Sequence, residues 1–301
     1  MIIQSILETI GDTPVLHLET LAGNDIYVKL EMFNPAGSVK DRIALEMVND
    51  LVSLGRLGSG QKAIEATSGN TGIGLALVCA SYGIPLTIVM PENMSPERIA
   101  LMKAYGASIV LTPKEKGMQG SEEMAIQMAK DGSYVFLNQF ENLDNPKAHE
   151  ENTSQEILID FPIALDYFVA GVGTGGTIAG CSKVLKKHYP GLQVVAVEPA
   201  ESEVLEGKKP GPHGIPGIGA NFMPPLYEAS LVDQIIAVES LLAAAKVADL
   251  AKKGLFLGIS SGAAVLAAEK IAAANPNKGL TILAIAPDGG IKYMSMGIYG
   301  K

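Results

Sequence analysis

The chain carries one lysine where an ordinary lysine is disfavoured. In Asn34-Pro35-Ala36-Gly37-Ser38-Val39-Lys40-Asp41-Arg42, Ser38 has the type and place of a helix N-cap and Asp41 follows three residues on, as in a capping box. Ile43, Met47, Val48 and Leu51 then recur at helical spacing. Lys40 therefore falls in a first helical turn, where the positive end of the macrodipole opposes a cation by roughly 0.3–1 kcal/mol. The same field lowers an amine's pKa, and a neutral amine is what a Schiff-base nucleophile has to be. A surface lysine tolerated at a helix start has the same pattern, so the stretch has to be weighed with its companions.

Three further stretches are loops in which a predicted strand ends and a predicted helix begins, the place where open parallel sheets bind ligands. Thr67-Ser68-Gly69-Asn70-Thr71-Gly72 sets hydroxyl and amide side chains between glycines, more donors than one N-cap needs and suited to a carboxylate or phosphate. Gly171-Val172-Gly173-Thr174-Gly175-Gly176-Thr177 offers backbone N–H groups with little side chain in the way, a phosphate cup at a helix N-terminus. Its Gly171, Gly173 and Gly176 also spell G-x-G-x-x-G, with Glu198 ending the next strand where a ribose-binding acid would sit. An NAD-dependent oxidoreductase is thus a rival on this motif, one that leaves Lys40 and the first loop without a task. Gly258-Ile259-Ser260-Ser261-Gly262-Ala263-Ala264 opens another helix and presents a hydroxyl, and an ordinary capping turn would look the same.

Together these stretches supply an amine nucleophile, an anion site, a phosphate cup and a hydroxyl donor. Pyridoxal 5'-phosphate needs a lysine for its aldehyde, a cup for its phosphate and a partner for its ring nitrogen. The ordered motifs, from Gly11-Asp12-Thr13-Pro14 to Pro287-Asp288-Gly289-Gly290, resemble the cysteine synthase family, or O-acetylserine sulfhydrylases. That family lies within the fold type II pyridoxal-phosphate enzymes, which also contain cystathionine β-synthases. The resemblance implies that Lys40 carries the cofactor and that Asn70 contacts its phenolic oxygen. It further implies that Gly173, Thr174, Gly175, Gly176 and Thr177 hold the phosphate and that Ser260 faces the pyridine nitrogen. Thr67, Ser68, Gly69 and Thr71 would hold the substrate carboxylate, with Gln139 as a further donor. A hydroxyl cannot favour a protonated ring nitrogen as a carboxylate does, so loss of a β-leaving group followed by addition is the reaction implied. The small-molecule partners would be O-acetyl-L-serine and sulfide, giving L-cysteine and acetate. A short-form cystathionine β-synthase condensing O-acetylserine or serine with homocysteine is the alternative.

The chain departs from the family pattern in places. Ala36 replaces a glycine before Ser38, tolerable if its φ is negative. Thr153-Ser154-Gln155-Glu156-Ile157 stands for Thr-Gly-Pro-Glu-Ile, Asn221 for a common glycine, and Ile291-Lys292 for Glu-Arg. Asn221 and Thr153 bear on the choice between sulfide and homocysteine, whose charged tail would need a polar pocket.

The elements that must position these residues alternate. Strands are predicted at Val15–Leu18, Ile26–Glu31, Ala63–Ala66, Leu86–Met90, Ser108–Leu111 and Tyr134–Leu137, then at Tyr167–Ala170, Val194–Val197 and Thr281–Ile285. Helices are predicted over 71–82, 95–105, 122–130, 177–189, 241–252 and 262–273, besides the one at Lys40. Asp144-Asn145-Pro146 and the polar run from His149 to Thr153 read as a crossing between two βαβ units. The fold class is α/β: two domains, each an open twisted mostly parallel sheet flanked by helices, tryptophan synthase β-like by the resemblance. Residues 1–35 and 146–301 are expected to form the larger, cofactor-binding domain and residues 36–145 the smaller, mobile substrate-loop domain.

Composition fits a small-molecule enzyme. The 301 residues are 48% hydrophobic, with net charge -9 and no dense basic run, which argues against nucleic acid and anionic membrane as partners. The N-terminus lacks the pattern of a signal peptide, and the expected compartment is the cytoplasm. Cys79 and Cys181 fall inside predicted helices, and the four histidines lack ligand spacing, so no metal is assigned. A homodimer is expected from the resemblance.

Overall fold

The structure is a computed structural model that describes residues 2–58 and 60–300; Met1 and Lys301, at the outer limits of the expected larger domain, lie outside them. The chain divides into two compact units. One comprises the residues up to Ile10 together with Asn34–Asn145, the other Gly11–Phe33 and the residues from Pro146 onward.

The smaller unit contains a four-stranded, wholly parallel sheet. Its strands are β3 (Lys62–Ala66), β4 (Leu86–Pro91), β5 (Ser108–Thr112) and β6 (Tyr134–Phe136), in the order β5-β4-β3-β6. Helices α1 (Lys40–Ser53), α2 (Asn70–Tyr82), α3 (Pro96–Ala104) and α4 (Gly117–Ala129) accompany it. On one face Ile64, Ala66 and Val89 bury against Ala125 of α4. The other consequence of this order is that β3 and β6 are neighbours, so the loops leaving their carboxyl ends are adjacent.

The larger unit contains a six-stranded sheet in the order β1-β2-β10-β7-β8-β9. The strands β1 (Val15–Leu21) and β2 (Asn24–Leu30) form an antiparallel hairpin, while β7 (Tyr167–Gly171), β8 (Gln193–Pro199), β9 (Gln234–Val238) and β10 (Thr281–Ala286) run parallel. Strand periodicity divides its core. Val169, Val195, Val197 and Ala284 pack under α8 (Ser240–Lys252) and α9 (Ile259–Ala274). Phe168, Ala170, Val194 and Leu283 pack under α6 (Ser154–Asp160) and α7 (Gly176–His188). Sheets buried on both faces by helices account for strands that read as near-continuous apolar runs.

Two features lie beyond the sequence reading. The polar run from His149 is a π-helical turn, His149–Thr153, joining α5 (Asp144–Ala148) to α6. Its polar side chains turn back on the helix: Ser154 Oγ donates to the Glu150 carbonyl at 2.6 Å. Strand β9, in which Gln234-Ile235-Ile236-Ala237-Val238 pairs with β8, was not expected.

Candidate active site

In the smaller unit, Lys40 is the first residue of α1. The cap differs from the capping box expected, because the N-cap position is Val39, without a side-chain bond. Ser38 Oγ accepts from the Lys40 N–H at 3.2 Å, and Asp41 takes the Ala36 N–H at 2.6 Å. The φ > 0 of this turn falls on Gly37 (80°), and Ala36 is not among the residues with positive φ. Gly74 of α2 lets the two helices touch: a Cβ there would lie 3.1 Å from the Lys40 carbonyl oxygen. Lys40 keeps part of its surface accessible, yet its amine is densely enclosed, and burial pushes its pKa down to about 8. Among the described residues no carboxylate pairs with it.

The loop after β3 has Thr67 buried and Ser68, Gly69 and Asn70 partly accessible. Thr67 Oγ1 accepts from the Gly69 N–H at 3.3 Å, and Asn70 opens α2, whose N-cap, Gly69, provides no side-chain bond. The neighbouring loop after β6 carries Gln139. Thr71 Oγ1 donates to Gln139 Oε1 at 2.6 Å, both side chains being buried. With Oε1 so engaged, the Nε2 donors of Gln139 have no partner among the described residues and can serve an anion.

In the larger unit, Gly171 ends β7 and the glycine loop runs into α7. Its N-cap is Gly175 in the left-handed region (φ 87°), again without a side-chain bond; the Gly176 N–H reaches Thr174 Oγ1 at 3.4 Å, and the Thr177 and Ile178 N–H groups, without a partner among the described residues, are open to an anion. The glycines are required by close approach as well. A Cβ on Gly175 would lie 2.7 Å from the Tyr227 nitrogen, and one on Gly173 would collide with the Gly217 carbonyl. Thr174 is buried, and Thr177 Oγ1 lies 3.1 Å from His149 Nε2, whose Nδ1 is 2.9 Å from Thr153 Oγ1. His149 was assigned no role from sequence, and only the tertiary fold shows that it steadies Thr177.

Ser260 lies in the first turn of α9, 3% exposed, and its hydroxyl makes no hydrogen bond among the described residues. The turn is fastened from Asp288, whose carbonyl accepts from the Gly258 N–H at 3.0 Å. The rival dinucleotide motif fares differently. Glu198 is buried, and its Oε2 accepts the Leu205 N–H at 2.8 Å, so this acid is spent on the chain itself.

The comparisons agree with this chemistry. A model of the family described as pyridoxal-phosphate dependent enzyme matches residues 6–288. The chain is 45% identical over 302 residues to a cysteine synthase of Staphylococcus aureus (strain Mu50 / ATCC 700699), covering 99% of this chain and 97% of that one. The crystal structure of a cysteine synthase from Entamoeba histolytica is similar with a TM-score of 0.95 and 44% identity, over 99% of this chain and 91% of that chain. An O-acetylserine dependent cystathionine beta-synthase from Helicobacter pylori gives a TM-score of 0.94 and 39% identity, over 100% of each.

Proposed function

Since the chain belongs to the family of pyridoxal-phosphate dependent enzymes, we propose that it is a β-replacement enzyme of the cysteine synthase kind. It takes O-acetyl-L-serine and sulfide and releases L-cysteine and acetate. The observation that carries this is Lys40: an amine in a first helical turn, without an ion-pair partner among the described residues and held near pKa 8 by burial.

The residues present suit the cofactor. It needs an uncharged amine, N–H groups for a dianion and a hydrogen-bond partner for a pyridine nitrogen, which Lys40, the uncapped start of α7 and Ser260 offer. When bound, pyridoxal phosphate supplies the electron sink that makes a substrate's α-proton removable. Lys40 Nζ would hold the cofactor and, as a neutral amine, would be the base placed to take that proton. Gly173 to Thr177 would receive the phosphate, and Asn70 would meet the phenolic oxygen. Ser260, a hydroxyl and not a carboxylate, would not favour a protonated ring nitrogen, which suits loss of the acetoxy group over other fates of the substrate. Thr67, Ser68, Gly69, Thr71 and Gln139 fix the substrate carboxylate, with the Gln139 Nε2 donors left available by the Thr71 contact. The larger unit is the cofactor domain and the smaller one the substrate-loop domain.

The two neighbourhoods that carry departures from the family pattern, those of Asn221 and Thr153, favour sulfide over homocysteine. Asn221, at φ 64°, accepts the Ser202 hydroxyl on Oδ1 at 2.7 Å, and Thr153 is buried against His149. Both polar side chains are engaged within the chain and do not await a charged tail. The test offers sulfide and homocysteine together with O-acetylserine and quantifies both thioether and thiol products. Cysteine should predominate, and cystathionine as the main product would overturn the assignment of the nucleophile. A homodimer in the cytoplasm is carried by the resemblance, and the mass in solution tests the first half of it. Among the described residues no helix is long and apolar enough to cross a membrane.

A further inference from the structure

Glu65 is a charged residue type in the middle of an otherwise apolar strand. It belongs to β3, two residues before Thr67, and is 1% exposed. Nothing in the proposed chemistry uses it. Its Oε2 has no hydrogen-bond partner among the described residues, a costly arrangement for a carboxylate and a tolerable one for a neutral acid. Burial is the dominant influence, raising its pKa to about 8; the backbone N–H groups of Gln139, Asn138 and Ala66 offset part of that rise, and Glu122 adds slightly to it. At neutral pH the group is a carboxylic acid.

Its surroundings point to a purpose. The parallel pairing of β3 with β6 sets Ile64 beside Phe136, and the Leu137 N–H donates to the Ile64 carbonyl at 3.1 Å, so the segment 137–139 runs alongside Glu65. That segment turns sharply at Asn138, which sits at φ 53° in the left-handed region that asparagine adopts more readily than other side-chain-bearing residues. From the far side, Asn142 Nδ2 holds the Leu137 carbonyl at 3.0 Å and Asn145 Nδ2 the Gln139 carbonyl at 2.7 Å. Those two bonds hold the carbonyls, and the carboxyl of Glu65 faces the N–H groups of the same turn. The outcome of the turn is the placement of Gln139 Oε1 2.6 Å from Thr71 Oγ1.

We propose that Glu65 is a positioning residue: it holds the Asn138–Gln139 turn so that Gln139 and Thr71 present one preformed carboxylate site. This rests on the reading of Thr71 and Gln139 as substrate-carboxylate residues. Glu65 is buried in β3, outside the loops read as holding substrate and cofactor, so it acts on affinity for the amino acid and not on the chemical step.

The experiment compares Glu65→Gln, Glu65→Leu, Gln139→Ala and the double variant Glu65→Leu/Gln139→Ala as holoenzymes. Cofactor loading is read first, from absorbance of the bound cofactor. Then come KM for O-acetylserine, kcat, and the equilibrium spectral change on adding an unreactive amino acid. Glu65→Gln keeps a neutral acceptor and should stay within about twofold of the parent, whereas Glu65→Leu should raise KM and the amino-acid Kd about tenfold or more with kcat little changed. The Leu substitution should add little once Gln139 is gone, a non-additivity that a general loss of stability would not produce. Unchanged KM in Glu65→Leu, equal damage in Glu65→Gln, or additive effects in the double variant would each overturn the proposal. Should Glu65→Leu not fold, Glu65→Gln decides alone, with parental affinity supporting the neutral acid and lost affinity refuting it. A parent chain that fails to load the cofactor would instead defeat the functional reading.

Discussion

Lys40 is the residue whose chemistry can be tested most directly. The amine is brought to about 8 from an ordinary 10.5, with burial as the cause. In the cofactor-free chain its reaction with a small aldehyde and a mild reductant should therefore reach half its plateau near pH 8, located by mapping the labelled peptide. Half-reaction above pH 10 would show a solvated lysine. Lys40→Ala should load no covalently attached cofactor and lose the visible absorbance and turnover together. The amine was legible in sequence because its signal is local: a glycine turn, a capping serine and a helix period lie within a few residues of one another. The Thr67 to Thr71 loop was legible for the same reason. His149 and Glu65 were not, since what defines them is a partner far along the chain, Thr177 for one and the 138–139 turn for the other. A glutamate in a strand otherwise apolar was the one available hint.

At the scale of elements, the phosphate cup is a strand end and a helix start joined by a glycine loop in which Gly173 and Gly175 have backbone where a Cβ would stand. Gly175 combines φ 87° with a backbone neighbour, the Tyr227 nitrogen, 2.7 Å from where a Cβ would stand. Gly175→Ala adds left-handed strain of roughly 1–2 kcal/mol and an overlap that only a backbone shift relieves, about 1–3 kcal/mol more. The shift displaces the first-turn N–H groups of α7, so cofactor affinity should fall at least about tenfold. Equilibrium dialysis of the cofactor against this variant checks it, and parental affinity would show that the cup tolerates a side chain. Regular elements with caps and turn residues were readable: Gly83 ends α2 in the left-handed conformation, as its place before Pro85 suggests. The π-turn at His149–Thr153 was not, because five polar residues in a row carry no apolar period, whatever the helix propensity of Glu150 and Glu151. Strand β9 follows a long irregular stretch, and its five residues gain their identity by pairing with β8.

For the molecule as a whole, two of the displaced ionisations, those of Glu65 and Lys40, meet at one pH with opposite consequences for stability. Glu65 titrates near 8 when folded against 4.5 when unfolded, so between those values the native chain binds the extra proton. Stability from this group is complete below about pH 4.5 and is lost as pH rises through 8. Lys40 titrates near 8 when folded against 10.5 when unfolded, so between those values the unfolded chain binds the extra proton. The cost of its buried charge is complete below pH 8 and is relieved as pH rises towards 10.5. The cofactor-free chain should accordingly show a stability minimum near pH 8, with an acid limb on the order of 5 kcal/mol and an alkaline limb on the order of 3 kcal/mol, the latter cut back above about pH 9 by the Cys79 thiol, which burial pushes up to about 12. Urea midpoints measured from pH 5 to pH 10 trace the curve, and two variants separate its parts. Glu65→Gln should flatten the acid limb alone, and Lys40→Met should flatten the alkaline limb alone. Loading the cofactor occupies Lys40 and should also remove the alkaline limb, while leaving the acid limb in place. A minimum that persists unchanged in both variants would place the responsible groups elsewhere in the chain.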